Sequence, residues 1–229
     1  NNSKFNQNIK IYGSTGFKKK LSKNYINLKL DKNLFQSKNK LFVKSFLKHE
    51  IKRNSKIIEI HNRPKYVKTI KKYTKAKIFL YFHNDPLTMS GSKNILERKE
   101  ILKNSEKIIF NSNWSKNRFI VGLSKFNYND KLITIYQSAS KTKVNFSKKE
   151  KLISFVGKLN IAKGYDLFGK SIIKILNKHK DWKAIVIGDE PREKIQFKHK
   201  NLKILGFKSH NYILNILKKV SISVVCSRW

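Results

Sequence analysis

Lys158 and Lys163 bracket the turn in Phe-Val-Gly-Lys-Leu-Asn-Ile-Ala-Lys-Gly, residues 155–164. Two ammonium groups at that spacing suit one chemistry, the neutralisation of a diphosphate. The apolar run Leu152–Val156 reads as a strand broken at Gly157, and an amphipathic helix opens just after Gly164. A helix N-terminus carries unpaired backbone N–H groups and a partial positive charge, so it would add donors to the same anion seat. An ordinary strand-turn-helix junction with two solvated lysines is the competing reading. Histidines offer a second chemistry. His61 and His83 each follow an apolar, β-prone run, Ile57–Ile60 and Ile78–Phe82, and imidazole both donates and accepts hydrogen bonds near neutral pH. Against this, His83 could cap a loop with Asn84 and Asp85. His61-Asn62-Arg63-Pro64 also reads as a turn into a helix with Pro64 at its first position.

The elements that would position these groups alternate along the chain. Strands are expected at 57–60, 78–82, 107–110, 132–135, 152–156, 184–187, 202–205 and 222–226. Helices are expected at 65–73, 95–103, from 112 or 113 onward, 165–179 and 212–219. Short apolar runs alternating with helical patterns signify βαβ units and parallel sheets. In such sheets ligands bind beyond the carboxyl ends of strands. That rule selects residues 61–64, 83–86, 111–113, 157–158, 188–191 and 206–209. The polar, lysine-rich stretch 141–150 reads as a linker between an N-terminal unit, 1–140, and a C-terminal unit, 151–229. Residues 1–50 carry the least pattern. The chain does not begin with Met, and its last apolar run, Ser221–Trp229, reads as a buried strand with no helix after it. Both units are therefore expected to be incomplete.

Composition narrows the classes. At 229 residues with 39% hydrophobic side chains the chain can bury real cores. No stretch approaches the roughly 18 apolar residues of a membrane span, and no apolar leader stands at the start. Cys226 is the single cysteine, which excludes an internal disulfide and a cysteine-based zinc cluster. A cytoplasmic setting is the simplest expectation. The formal charge of +38 invites a nucleic-acid reading. Yet only six of the 52 basic residues are arginine, the side chain that reads phosphates and base edges bidentately. The basic residues are also spread through every block of ten except 81–90 rather than gathered in a stripe. No specific nucleic-acid partner is expected. Attraction to an anionic membrane face remains, since a lysine near such a surface contributes about 1 kcal/mol. A dinucleotide enzyme would show G-x-G-x-x-G between a strand and a helix, and no such run is present.

Residues 151–229 resemble glycosyltransferase family 4, of the GT-B fold. The matching pieces stand in order: Phe-Val-Gly-Lys-Leu with Lys163-Gly164, Val-Ile-Gly-Asp-Glu-Pro at 186–191, Ile-Leu-Gly-Phe at 204–207 with Ser209-His210, and Val-Val-Cys-Ser-Arg-Trp at 224–229. The first half is similar more loosely, through His61, His83 and Phe-Asn-Ser-Asn-Trp-Ser at 110–115. The resemblance implies an α/β protein of two Rossmann-like domains facing a cleft. It implies sugar transfer from a nucleotide-diphosphate sugar to a glycan or lipid-linked acceptor, with retention, no metal and no further cofactor. Cell-surface polysaccharide or lipopolysaccharide synthesis is the implied setting. On this resemblance Gly157, Lys158 and Lys163 hold the donor diphosphate. Gly188, Asp189, Phe207 and Lys208 meet the nucleotide, His83 is catalytic, and His61, Asn84 and Asp85 lie on the acceptor side. Lys158 stands where the family more often has arginine, which keeps the charge but loses the bidentate fork. The family's glutamate-containing loop would follow Trp229, so the chain as given is expected not to turn over alone. The family's N-terminal glycine-rich loop has no clear counterpart; Gly13-Ser14-Thr15-Gly16 is a candidate, but it stands close to His61 in sequence.

Overall fold

The computed structural model describes residues 9–14, 22–30, 36–123, 128–139, 143–193 and 195–228. Thr15, Gly16, Trp229 and the first two residues of the expected linker lie outside them. Contacts divide the chain into Asn1–Ala139 and Ser140–Trp229.

The first unit runs β1 (Ile11–Gly13), β2 (Tyr25–Asn27), α1 (Lys38–Arg53), β3 (Ile57–His61), α2 (Tyr66–Tyr73), β4 (Lys77–Phe82), α3 (Ile95–Asn104), β5 (Lys107–Phe110), α4 (Asn113–Ile120) and β6 (Leu132–Thr134). β3 to β6 form a parallel sheet in chain order, and β1 and β2 form a separate parallel pair. Side chains alternate across a strand, and this alternation sorts the sheet. Ile58, Ile60, Ile78, Leu80 and Phe82 enter the core, while Ile57, Glu59 and His61 stand exposed on the other face. Phe82, Phe110 and Phe119 meet at 5.4–5.6 Å between ring centres in that core. The helices start at side-chain caps: Ser37 for α1, an Asn94–Glu97 capping box for α3, and Ser112 for α4. The described residues before position 51 hold more order than their sequence suggested, since α1 buries Val43, Phe46, Leu47 and Glu50 at helical spacing.

The second unit runs β7 (Glu150–Val156), α5 (Tyr165–Lys178), β8 (Lys183–Ile187), β9 (Leu202–Ile204), α6 (His210–Leu217) and β10 (Val220–Val224). The sheet is parallel throughout, in the order β10-β7-β8-β9. The chain therefore moves outward from β7 through β8 and β9, then returns past β7 to β10. The reversal makes the carboxyl ends of β7 and β10 a topological switch point, the place where such sheets receive ligands. Phe155, Ala184 and Val186 face Phe168, Ile172 and Leu176 of α5, and Ile185 and Ile187 cluster with Ile213, Ile216 and Leu217 of α6. Residues 188–201 cross from β8 to β9 without a helix among the described residues. Phe197 closes the core there, edge-on to Tyr165 and over Gly169, where an added Cβ would come within 2.0 Å of its ring.

One expectation changes. The final strand was expected to be buried, but β10 is buried only at Val220; Ile222 is 46% exposed, and the pairing register with β7 shifts between those two residues. Among the described residues no helix is long and apolar enough to cross a membrane.

Candidate functional site

The ends of β7, β8 and β9 in the second unit are lined by glycine. Gly157 N–H donates to the Ile187 carbonyl (3.0 Å) and Gly188 N–H to the Gly206 carbonyl (3.0 Å). Gly188 has φ +143°, and a Cβ there would sit 1.8 Å from the Gly157 oxygen. Only glycine allows the two peptides to approach so closely. Leu159 N–H donates to the Asp189 carbonyl at 3.4 Å, which ties the loop after β7 to the loop after β8.

Beyond β7 the chain enters a 3₁₀ turn, Ile161–Lys163, whose cap is Asn160; the Asn160 side chain accepts from Lys163 N–H at 3.0 Å. Gly164, at φ +69°, ends this turn and starts α5. A Cβ on Gly164 would fall 2.0 Å from the Cys226 carbonyl oxygen, so the segment after β10 lies directly on this glycine. Arg228 completes the clamp. Its backbone N–H donates to Ala162 (3.0 Å), its guanidinium donates to the Ile161 carbonyl, and its fork grips Asp166 with two bonds of 2.8 Å. The hydrogen bonds from Arg228 hold the Asp166 carboxyl at about 2.

This geometry corrects the reading of α5 as an open anion seat. Gly164 N–H is bonded to Ile161, Tyr165 N–H to Asn160, and Asp166 supplies a carboxylate in the first turn. The inserted 3₁₀ turn separates the lysines from the helix end. The free donors belong to the turn: among the described residues the N–H groups of Lys158, Asn160 and Ala162 have no partner, whereas Ile161 N–H donates to Glu193 (3.1 Å). The Lys163 stem passes 4.0 Å from the Cβ position of Gly157, and Lys158 helps hold the Glu190 carboxyl at about 2, after the larger effect of the Arg192 hydrogen bonds. Both lysines are exposed, and neither ammonium group is paired among the described residues. Gly157, Lys158, Lys163, Gly188 and Asp189 are thus brought together at the switch point. Phe207 and Lys208 follow β9, with Phe207 76% exposed and the Lys208 ammonium 5.5 Å from the Tyr212 ring. A cavity of about 370 Å³ in this unit lies elsewhere, between α5 and β10 beside Ile172, Trp182 and Val224, and neither lysine lines it.

In the first unit, register places the histidines. His61 pairs with Tyr81 across β3 and β4, and His83 follows two residues later on the same side. His61 Nδ1 and His83 Nε2 are 3.0 Å apart, and the Tyr81 ring lies parallel to His61 at 4.6 Å. Asn62, at φ +53°, accepts the His83 N–H (2.8 Å), and Asn111 donates to the His83 carbonyl (2.9 Å), so the backbone of His83 is fixed from two strands. Burial, and then His61, lowers the pKa of His83. Asn84 is exposed. Asp85 is occupied: it caps the turn at Pro86 through Leu87 N–H and holds the Arg118 fork at 3.0–3.3 Å. Trp114 is 59% exposed, beneath the Arg118 guanidinium. Sequence reasoning missed Asp166, Arg228 and Gln137, whose partners are distant in sequence, and also Asn160 and Glu59, whose partners Lys163 and His61 lie within three residues.

Known proteins can now be set beside this geometry. Residues 137–229 match the family model described as Glycosyl transferases group 1. No curated protein matches the sequence significantly. Among solved structures, Anabaena HepE in complex with UDP and glucose is 14% identical, with a TM-score of 0.63, covering 89% of this chain and 60% of that one. TarM is 12% identical, with a TM-score of 0.61, covering 81% and 40%. A glycosyltransferase from Rickettsia africae is 20% identical, with a TM-score of 0.54, covering 89% and 59%. The chain spans 40–60% of the length of these structures. The sheet orders, the switch point and these likenesses agree: the fold is the α/β GT-B glycosyltransferase fold, and residues 137–229 are similar to the glycosyl transferases group 1 family.

Proposed function

We propose that this protein is a glycosyltransferase that moves a sugar from a nucleotide-diphosphate sugar to a glycan or lipid-linked acceptor, with retention and without a metal, in cell-surface polysaccharide or lipopolysaccharide synthesis. The observation that carries the reading is the turn at the β7/β10 switch point, where Lys158, Lys163 and three N–H groups without a partner among the described residues follow a glycine-lined strand end. Negative charge grows on the leaving phosphate as the glycosidic bond breaks. Lysines fixed beside it bind the transition state more tightly than the ground state, which is the source of acceleration. Gly188 and Asp189 line the adjoining wall, and the exposed Phe207 and Lys208 lie where a nucleobase would rest. His83, with its backbone held by Asn62 and Asn111, offers an imidazole to a sugar or acceptor hydroxyl. The structures of HepE in complex with UDP and glucose, and with UDP, lend support, as those of a protein of like fold that binds a nucleoside diphosphate and a sugar. The charge of +38 favours an acceptor presented on an anionic inner membrane face.

Isothermal titration of the complete protein with nucleoside mono- and diphosphates tests the reading. The diphosphate should bind at least about tenfold more tightly, and the Lys158→Ala/Lys163→Ala protein should lose that preference. His83→Ala should depress transfer more than donor binding. Equal affinity for both nucleotides, unaffected by the lysines, would overturn the assignment.

A further inference from the structure

The histidine pair in the first unit belongs to a longer row. The two imidazoles are nearly coplanar, 10° apart, with centres 5.3 Å apart. That separation is one hydrogen bond plus two ring radii, so the rings meet edge to edge with an in-plane N–H···N bond of 3.0 Å. The Gln137 amide lies 3.4 Å from His83 Nδ1, and Glu59 Oε2 lies 3.6 Å from His61 Nε2. Four side chains thus stand in line: Gln137, His83, His61, Glu59. Neighbouring charges do not interrupt them. Arg63 donates to the Asn62 carbonyl, Asp85 is held by Arg118, and the Tyr81 phenol is pushed upward by burial and then by Glu59.

We propose that this row is a proton relay in which His83 takes up and releases a proton at Nδ1 while the positive charge resides on His61, with Glu59 and Gln137 as positioning residues. In the uncharged row Gln137 donates to Nδ1 of His83, which places the His83 proton on Nε2, donated to Nδ1 of His61; the His61 proton then lies on Nε2, toward Glu59. When a proton arrives at His83 Nδ1, the Nε2–H bond of His83 breaks and an Nδ1–H bond forms on His61. One proton has entered and one has shifted. His83 is again neutral with its tautomer reversed, and His61 is an imidazolium. Gln137 turns its amide to accept. The charge settles on His61 because that ring is the more exposed, faces the Glu59 carboxylate and lies flat on Tyr81. A hydroxyl that displaces Gln137 would meet a base that does not become a cation.

The test is nitrogen-15 NMR of histidine-labelled 229-residue chain across a pH titration, with His61→Asn and His83→Asn variants assigning the signals. On acidification His61 should become imidazolium first while His83 passes from the Nε2–H to the Nδ1–H neutral form. Glu59→Gln should move imidazolium character from His61 toward His83, because the carboxylate facing His61 Nε2 is gone. Gln137→Ala should mix the His83 tautomers at high pH. Imidazolium forming on His83 before His61, or one His83 tautomer persisting through the titration, would overturn the relay. No sugar nucleotide is present, so the outcome is independent of the transfer assay.

Discussion

The two units present different groups on one structural plan. Each holds a four-stranded parallel sheet whose candidate site residues gather at the carboxyl ends of its strands. In the first unit the ends of β3 and β4 present side chains, His61, Tyr81 and His83, in a hydrogen-bonded and stacked row. In the second, the ends of β7, β8 and β9 give way to glycine, and the peptides themselves form the floor. Imidazole rings suit neutral hydroxyls that must be oriented and relieved of protons. Bare peptides with lysines alongside suit a diphosphate, which needs close backbone approach and positive charge. The sheet orders agree with this division. β3 to β6 advance in one direction, whereas β7 to β10 reverse and open a switch point.

The sharpest way to break this comparison is to exchange what each strand end tolerates. Gly188→Ala adds a methyl 1.8 Å from the Gly157 oxygen at φ +143°, and we expect it to cost about 3 kcal/mol or more, from backbone strain plus overpacking. Gly206→Ala also has a positive φ, +67°, in the left-handed region, but open space around it, so it should cost only about 1 kcal/mol. His61→Ala removes a half-exposed side chain in the other unit and should stay within about 1 kcal/mol. Urea unfolding followed by Trp182 fluorescence reports the two glycine variants, and circular dichroism the third. If Gly188→Ala proved as mild as Gly206→Ala, close peptide approach would not define the second site. Next in size is a charge test. Lys163→Ala should weaken diphosphate binding about tenfold, whereas Lys148→Ala, in the stretch before β7, should leave it within about twofold. Equal effects in titration calorimetry would reduce the lysine pair to diffuse attraction.

Much of this plan was legible in sequence because buried parallel strands announce themselves. Lys107–Phe110 was found to the residue, and β3, β4 and β7 within two residues at either end. Ser112 could be read as a helix cap from its type and place, and it accepts from Ser115 N–H. The early region was not legible: β1 and β2 are too short for alternation to show, and α1 buries a glutamate, Glu50, that a hydropathy reading assigns to solvent. Glu50 is buried because its carboxylate accepts from both the backbone and the hydroxyl of Ser55. The anion turn was half legible. Lysine spacing and Gly157 pointed to it, but Gly164 reads in sequence as a helix start, and only its left-handed φ shows that it first closes a separate turn. The Asp166–Arg228 clamp could not be read at all, since its partners are 62 residues apart and meet only because β10 returns beside β7.

That clamp yields the smallest effect and the one most particular to the second unit. Asp166 is held at about 2 in the folded protein, against an ordinary 3.8. As pH falls, the unfolded chain binds the proton first, so the clamp stabilises the fold fully above about pH 5 and loses its contribution as pH descends through about 4 toward 2. Glu190, held at about 2 mainly by Arg192, behaves with the same sign. Thermal melts of wild type and Asp166→Asn should therefore differ at neutral pH and converge at acid pH. At neutral pH the variant should also bind diphosphate more weakly, because the turn carrying Lys163 loses the anchor that Arg228 gives it. A variant with the wild-type pH profile but impaired binding would mean that Asp166 acts on the ligand site without bearing on the fold. A changed profile with unchanged binding would mean that Asn160 and Gly164 hold the turn unaided.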